Sequence, residues 1–221
     1  MEPKSRIMSS IYLNEVDSFL QEKIDGTLSK LQSNASASTI ENPSLMLKKL
    51  LFAAKKNEWE TALISSKWAL DEKDFKFACS LMRLASDEAK HLLLIEELTA
   101  EDFSFDGNYS PLFNHLDQIN DTFSRIVTGP FARELLATKR NELFLTFCKK
   151  YNFSEVLQTY ENIQADELHH HEMGKKYLNN LLQNEEDVLR AKKLIDDIIQ
   201  VVDDIQEMVM LNKGLHYLPG C

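Results

Sequence analysis

Turn-forming residues are scarce in this chain: 221 residues contain six glycines and five prolines. A sheet protein spends such residues at most strand ends, so their scarcity argues against sheets and for long helices. Cysteine is scarcer still. Cys79, Cys148 and Cys221 are far apart, odd in number and form no C-x-x-C pair. That argues against a disulfide framework or a zinc knuckle and makes a reducing cytoplasm the expected compartment. The opening MEPKSRIMSSIYLNEV lacks the apolar run of a signal peptide, and no segment approaches 18 consecutive apolar residues, so no membrane span is expected. Positive charge is also in deficit, with 25 Lys+Arg against 35 Asp+Glu and a net charge of −10. General nucleic-acid binders draw their affinity from phosphate neutralisation, and the acidity counts against that class. No phosphate loop, G-x-S-x-G or dinucleotide fingerprint occurs.

What is present is helical periodicity. Ile11, Val16, Leu20, Ile24, Leu28 and Leu31 form one apolar stripe over residues 11–32. The small polar run SNASAST at 33–39 reads as a linker. NPS at 42–44 then opens a new helix, with Pro43 in its first turn. Four long helices are expected at 44–71, 74–98, 112–150 and 154–183. The third is interrupted near Gly129-Pro130, a long loop covers 99–111, and YNFS at 151–154 is a tight turn. A last helix, 185–213, carries Val188, Ile195, Ile198, Val202, Ile205 and Val209 on one side, for the bundle or for a second subunit. The order of hairpin, long crossover and hairpin is that of a ferritin-like four-helix bundle. The expected organisation is a helix and linker over 1–43, the all-α bundle over 44–183, and a helix with its tail over 184–221.

Two spacings carry chemistry. SDEAKHLLL holds Glu88 and His91, and ADELHHHEM holds Glu167 and His170, each an E-x-x-H pair. Residues three apart on a helix project from nearly one side, so a carboxylate and an imidazole reach one place together. Two such pairs, plus one glutamate from each remaining helix, make a carboxylate-bridged di-iron or di-manganese site.

Height along the helices selects the other two. At about 1.5 Å per residue, Glu88 lies about 20 Å beyond the 72–74 turn and Glu58 about 20 Å before it. Glu58 shares a face with Leu51, Ala54 and Ala62, whereas Glu60 shares one with Lys56 and Lys67 and is expected in solvent. In the second hairpin Glu167 lies about 20 Å beyond its turn, Glu134 about 24 Å before it and Glu142 about 12 Å before it. Glu134, among Phe131, Ala137 and Asn141, is preferred, with Glu142 as the alternative; the symmetric position is Ala137. Asp87 and Asp166 are candidate acceptors for the ligand imidazoles. His169 and His171 point about 100° away from His170 and are expected to face solvent or surround the site, although i,i+4 spacing makes His171 an alternative to His170. Trp59, Trp68, Tyr160 and Tyr177 read as packing, Cys148 as a buried small hydrophobe, and Cys221 as a free thiol on a loose tail.

These residues resemble the ferritin-like di-iron carboxylate superfamily over about residues 44–183. LMRLASDEAKHLLLIEEL (81–98) and YENIQADELHHHEMGKKYL (160–178) are most similar to the tRNA isopentenyl-adenosine hydroxylases. The resemblance implies two iron ions (manganese being the alternative) held by Glu58, Glu88, His91, Glu134, Glu167 and His170. It also implies dioxygen as co-substrate, a separate electron-donor protein, and C–H hydroxylation of a modified adenosine in tRNA. Lys139, Arg140, Lys149, Lys150, Lys175 and Lys176 would then be phosphate contacts or merely a solvated face. The competing expectations are an iron-binding ferroxidase and a helical interaction protein with a degenerate site. A monomer or homodimer fits the oxygenase, and a many-subunit cage fits iron storage.

Overall fold

The computed structural model describes residues 3–37, 40–99, 102–213 and 218–220, the side chains of 3–7, 33–37 and 210–213 excepted. Helices, and no strands, occur among the described residues. In chain order they are α1 (Pro3–Ala37), α2 (Pro43–Asp71), α3 (Phe75–Glu97), α4 (Pro111–Leu116), α5 (Thr122–Ile126), a π-helical segment (Val127–Arg133), α6 (Glu134–Lys150), α7 (Ser154–Leu181) and α8 (Glu185–Lys213).

Local chemistry sets these boundaries. Asn42 caps α2 by accepting the Leu45 N–H at 3.0 Å, with Pro43 at the position where a missing N–H costs nothing. Asp74 caps α3 by accepting from Lys76 and Phe77. Asn152, at φ 60°, supplies the left-handed residue of the turn into α7. The expected linker is overruled in part: residues 33–37 continue α1, since small polar residues are poor helix formers but do not break a helix, while 38 and 39 lie outside the described residues. Ile11 is exposed and not in the α1 stripe. It lies about 140° round the helix from Val16 at 100° per residue, and Tyr12 and Leu13 pack inward instead.

Gly129-Pro130 widens the helix rather than ending it. Proline lacks an N–H and its ring collides with the carbonyl four residues back, so an interior proline is costly in an α-helix. Here the chain takes a π-helical turn around Pro130 and resumes as α6 at Glu134. Gly129 lies under the Trp68 ring, and Gly174 of α7 sits directly on the Pro130 carbonyl.

The helices pair as α2 with α3 and α6 with α7. Across the bundle α3 runs antiparallel to α7, as Ser80–Tyr177, Asp87–His170 and His91–Asp166 show. α1 and α8 run parallel: Lys23–Asp196 (2.6 Å) and Lys30–Asp203 (2.9 Å) step seven residues along both helices. Their apolar stripes (Val16, Leu20 and Ile24; Val188, Ile195 and Ile198) are buried against the bundle of the same chain. A second apolar cluster gathers Leu50, Leu51, Ile95, Phe144, Phe147 and Tyr160. Between these two apolar masses lies a layer of buried acids and imidazoles.

Candidate metal centre

Burying a carboxylate costs several kcal/mol unless it is paired, protonated or bound to a metal. This protein buries four together, Glu58, Glu88, Glu134 and Glu167, each at most 4 % exposed, with His91 and His170 between them. α2 supplies Glu58, α3 supplies Glu88 and His91, α6 supplies Glu134, and α7 supplies Glu167 and His170. All six side chains expected from the sequence meet.

The six divide into two overlapping sets whose donor atoms lie within 4.8 Å of one another: Glu58, Glu88, His91 and Glu167; and Glu88, Glu134, Glu167 and His170. Glu88 and Glu167 belong to both, so each can bridge two cations. Each remaining glutamate–histidine pair completes one end. His91 Nδ1 lies 3.6 Å from Glu58 and 3.8 Å from Glu88. His170 Nδ1 lies 3.3 Å from Glu88 and 3.5 Å from Glu134.

The outer nitrogens are held crosswise. His91 Nε2 faces Asp166 of α7 at 3.3 Å, and His170 Nε2 faces Asp87 of α3 at 3.2 Å. Each D-E-x-x-H motif therefore serves the other helix's imidazole with its aspartate. An imidazole donating Nε2–H to a carboxylate keeps a lone pair on Nδ1, the atom that faces inward. Among the described residues, Glu88 Oε1, His91 Nδ1 and His170 Nδ1 are buried without a hydrogen-bond partner. Buried polar atoms left without partners and gathered in one place are rare, and a pair of cations would satisfy all three through their lone pairs. The buried Glu/His groups fit a metal centre.

Protonation carries the same information. Burial, then the Glu88 charge, pushes Glu58 up to about 8. Burial and the Glu88 and Glu134 charges hold Glu167 well above the carboxylate range. Burial opposes ionisation of Glu88, but contacts with His170 and His91 hold it below its usual value. Burial opposes it at Glu134 too, yet contacts with Glu167 and His170 hold that group low. Burial disfavours both imidazolium ions, yet Glu58 and Glu88 raise His91 to about 11, and Glu134 and Glu88 raise His170 to about 11.

The alternatives separate cleanly. Glu142 pairs with Lys139 at 2.9 Å on the surface and takes no part. Glu142→Ala is expected to leave metal content unchanged and to shift stability by less than about 0.5 kcal/mol, whereas Glu134→Ala lowers metal content; elemental analysis of the two purified variants checks this. Glu60 is a correction. It is buried, accepting the Ser110 N–H at 2.8 Å and the Ser110 hydroxyl proton. The crossover loop folds over it, which a helix-face argument does not foresee. His171 is buried too, with Nδ1 2.7 Å from the Phe131 carbonyl, so it holds α7 against the π segment and faces no solvent. His169 is exposed.

The tail closes the cluster on the side away from the histidines. Leu218, Pro219 and Gly220 are buried. The Gly220 N–H donates to Asn141 Oδ1 at 2.9 Å, Asn57 Nδ2 donates to the Pro219 carbonyl at 3.4 Å, and Gly220 lies beside Glu58 Oε1. Gly220 takes φ 69°, a conformation other residues rarely adopt. The loose-tail expectation fails for these three residues; Cys221 lies outside the described residues. Asn57, Thr61, Arg133 and Ala137 complete the wall of a cavity of about 10 Å³ against Glu58, Glu88, Glu134 and Glu167. The tail, Arg133 and Thr61 left no trace in the sequence pattern, although Thr61 stands three residues beyond Glu58 on the same helix. Cys148 is buried, its thiol pushed up to about 12 by burial, as a packing residue.

No protein-family model matches the sequence, and no curated protein or solved structure matches it.

Proposed function

We propose that the chain is a ferritin-like bundle holding two iron ions in this cluster, and that it is a non-haem oxygenase hydroxylating a substrate C–H bond with dioxygen. The observation that carries the reading is the pair of overlapping donor sets sharing Glu88 and Glu167. Carboxylates between two sites with one imidazole at each end suit iron or manganese better than zinc or copper, whose usual protein sites are richer in sulfur or nitrogen. When bound, an iron pair supplies the electrons that activate dioxygen, chemistry that carboxylates and imidazoles cannot perform.

The chain's own residues do the rest. Glu88 and Glu167 hold the two sites together, while Glu58 with His91 and Glu134 with His170 close the ends. Asp166 and Asp87 fix the imidazole tautomers. Burial excludes bulk water, and Asn57 and Asn141 keep the tail over the open side. Electrons come from a separate donor protein. The resemblance of 81–98 and 160–178 suggests a modified adenosine in tRNA as substrate, yet two of the expected phosphate contacts are engaged elsewhere: Arg140 is buried and donates to Gln206 at 2.5 Å, and Lys175 pairs with Asp17 at 2.9 Å.

A second reading has its own support. A cavity of about 10 Å³ admits dioxygen or one water, and no nucleoside unless the tail moves, which favours iron oxidation without an organic substrate. The test is elemental analysis of chain produced with iron, with a spectrum of the oxidised form. About two irons per chain are expected, and metal-free protein from careful preparation sinks both readings. Assembly size then separates them: a monomer or dimer supports the oxygenase, and a cage supports iron oxidation and storage.

A further inference from the structure

A groove of about 700 Å³ runs between α3 and α7 on the histidine side of the bundle. It is far larger than the space against the cluster. Its lining is ordered along its length. The three rungs that join α3 to α7 each have residue numbers summing to 257 (80 and 177, 87 and 170, 91 and 166), which puts every lining residue at a definite level. Lys76 stands at one end. Ser80 and Tyr177 form the next rung, joined at 2.9 Å. Arg83 and Lys176 face each other just beyond it. Leu84 and Met173 make an apolar rung, and the far end closes on Asp87 and the outer edge of His170.

The cations therefore span the levels of residues 76 to 83, with Lys76 and Arg83 about 10 Å apart along α3. None of Lys76, Arg83 and Lys176 pairs with a carboxylate among the described residues, whereas their neighbours Lys90 and Lys175 do, with Asp166 and Asp17. Glu172 stands one turn from Lys176 along α7 but forms no ion pair with it among the described residues, and Asp87 is engaged by His170. In a chain of net charge −10, three unpaired cations gathered in one concavity make a local anion trap. Half-buried Met173 and the half-buried Tyr177 ring offer apolar surface beside it, with buried Leu84 behind them.

We propose that this groove binds an amphipathic anion: a phosphate or similar oxyanion among Lys76, Arg83 and Lys176, with an apolar or aromatic body lying against Met173 and the Tyr177 ring. The groove meets the buried cluster only at its far end, Asp87 and His170, and the oxyanion position rests on none of the six cluster residues.

Binding of anilinonaphthalene sulfonate, a fluorescent anion with an aromatic body, to the folded full-length chain tests this. Fluorescence enhancement is expected with wild type. A double charge reversal, Arg83→Glu with Lys176→Glu at exposed positions, should weaken binding at least about tenfold, and added salt should weaken wild-type binding in the same direction. Adenosine monophosphate and a short alkyl phosphate are then used as competitors. Displacement by the nucleotide alone assigns a ring-shaped body, by the alkyl phosphate alone a chain, and by both a tolerant site. Unchanged binding in the double variant overturns the proposal. So does failure of both competitors, or displacement by inorganic phosphate as effective as by either of them. Should the variant lose its helical circular-dichroism signal, the salt and competitor arms on wild type decide alone.

Discussion

Loading the metal-free protein with two divalent cations at pH 7 is expected to release about four protons per chain. The number follows from the cluster's charge. Glu58, raised to about 8 by burial and Glu88, and Glu167, raised further by burial and its acidic neighbours, are protonated at that pH. His91 and His170, raised to about 11 against burial by the glutamates they face, are imidazolium. Glu88 and Glu134 are held low by their histidine contacts and are ionised. Two negative and two positive groups sum to zero. Four carboxylates, two neutral imidazoles and two divalent cations also sum to zero. The buried layer stays neutral in both states only if two imidazoliums and two carboxyls give up their protons. An indicator dye in weak buffer reads the release directly, and one proton or none contradicts the picture.

The same shifts set how stability of the metal-free protein depends on pH. A group whose folded pKa is raised stabilises fully below its unfolded value and loses that contribution as pH rises through the folded one. For Glu58 the window runs from 4.5 to about 8, and for the two histidines from 6.5 to about 11. Glu88 and Glu134 act in reverse, stabilising above their unfolded value and losing this as pH falls. The melting temperature of the metal-free chain therefore falls as pH climbs from about 6 to 9. The loaded chain, whose imidazoles and carboxylates are already deprotonated, lacks that decline.

Gly174→Ala is expected to cost about 3 kcal/mol of stability, or about 6–12 °C in melting temperature for a chain of this size. A methyl group there would lie 2.5 Å from the Pro130 carbonyl carbon, 2.6 Å from the Phe131 nitrogen and 2.8 Å from the Pro130 oxygen. All three are backbone atoms and no rotamer change relieves the overlap, so α7 must back away from the π segment. One turn earlier His171 holds the Phe131 carbonyl, and His170 and Glu167 occupy the same stretch of α7. Displacement therefore reaches the cluster, and metal content falls along with stability. Gly26→Ala is the control. Nothing lies within 4 Å of a methyl group at that exposed helical position, and the substitution is expected to stabilise by up to about 1 kcal/mol. Equal melting temperatures for the two variants would refute the close-packing argument.

The helices and four of the six cluster residues were legible because both rest on spacing. Apolar periodicity marked the long helices except the third, where the expected 112–150 helix is α4, a break over 117–121 and a continuous run only from Thr122 to Lys150, and E-x-x-H twice marked Glu88, His91, Glu167 and His170. Glu58 followed from height in a symmetric hairpin. Glu134 was harder, since it stands one turn above the symmetric position, Ala137, and only height together with its neighbours favoured it over Glu142. What stayed hidden depends on contacts between distant segments. The crosswise pairing of Asp87 with His170 and Asp166 with His91 requires knowing that α3 and α7 are neighbours. The burial of Glu60 depends on where the crossover loop settles. The role of His171 depends on where the Phe131 carbonyl of the π segment meets α7, and the closing tail on 48 residues of chain returning to its starting point.

That return orders events in time. The last cluster residue, His170, is synthesised 48 residues ahead of Leu218. At ribosomal speeds of about 5–20 residues per second, the interval is roughly 2–10 s. During it the growing polypeptide has made every donor but not the stretch that later shuts the open side over Glu58. Newborn chains thus carry an open doorway that docking of Leu218, Pro219 and Gly220 later narrows, so small ions reach the buried acids and imidazoles more readily before that docking than after it.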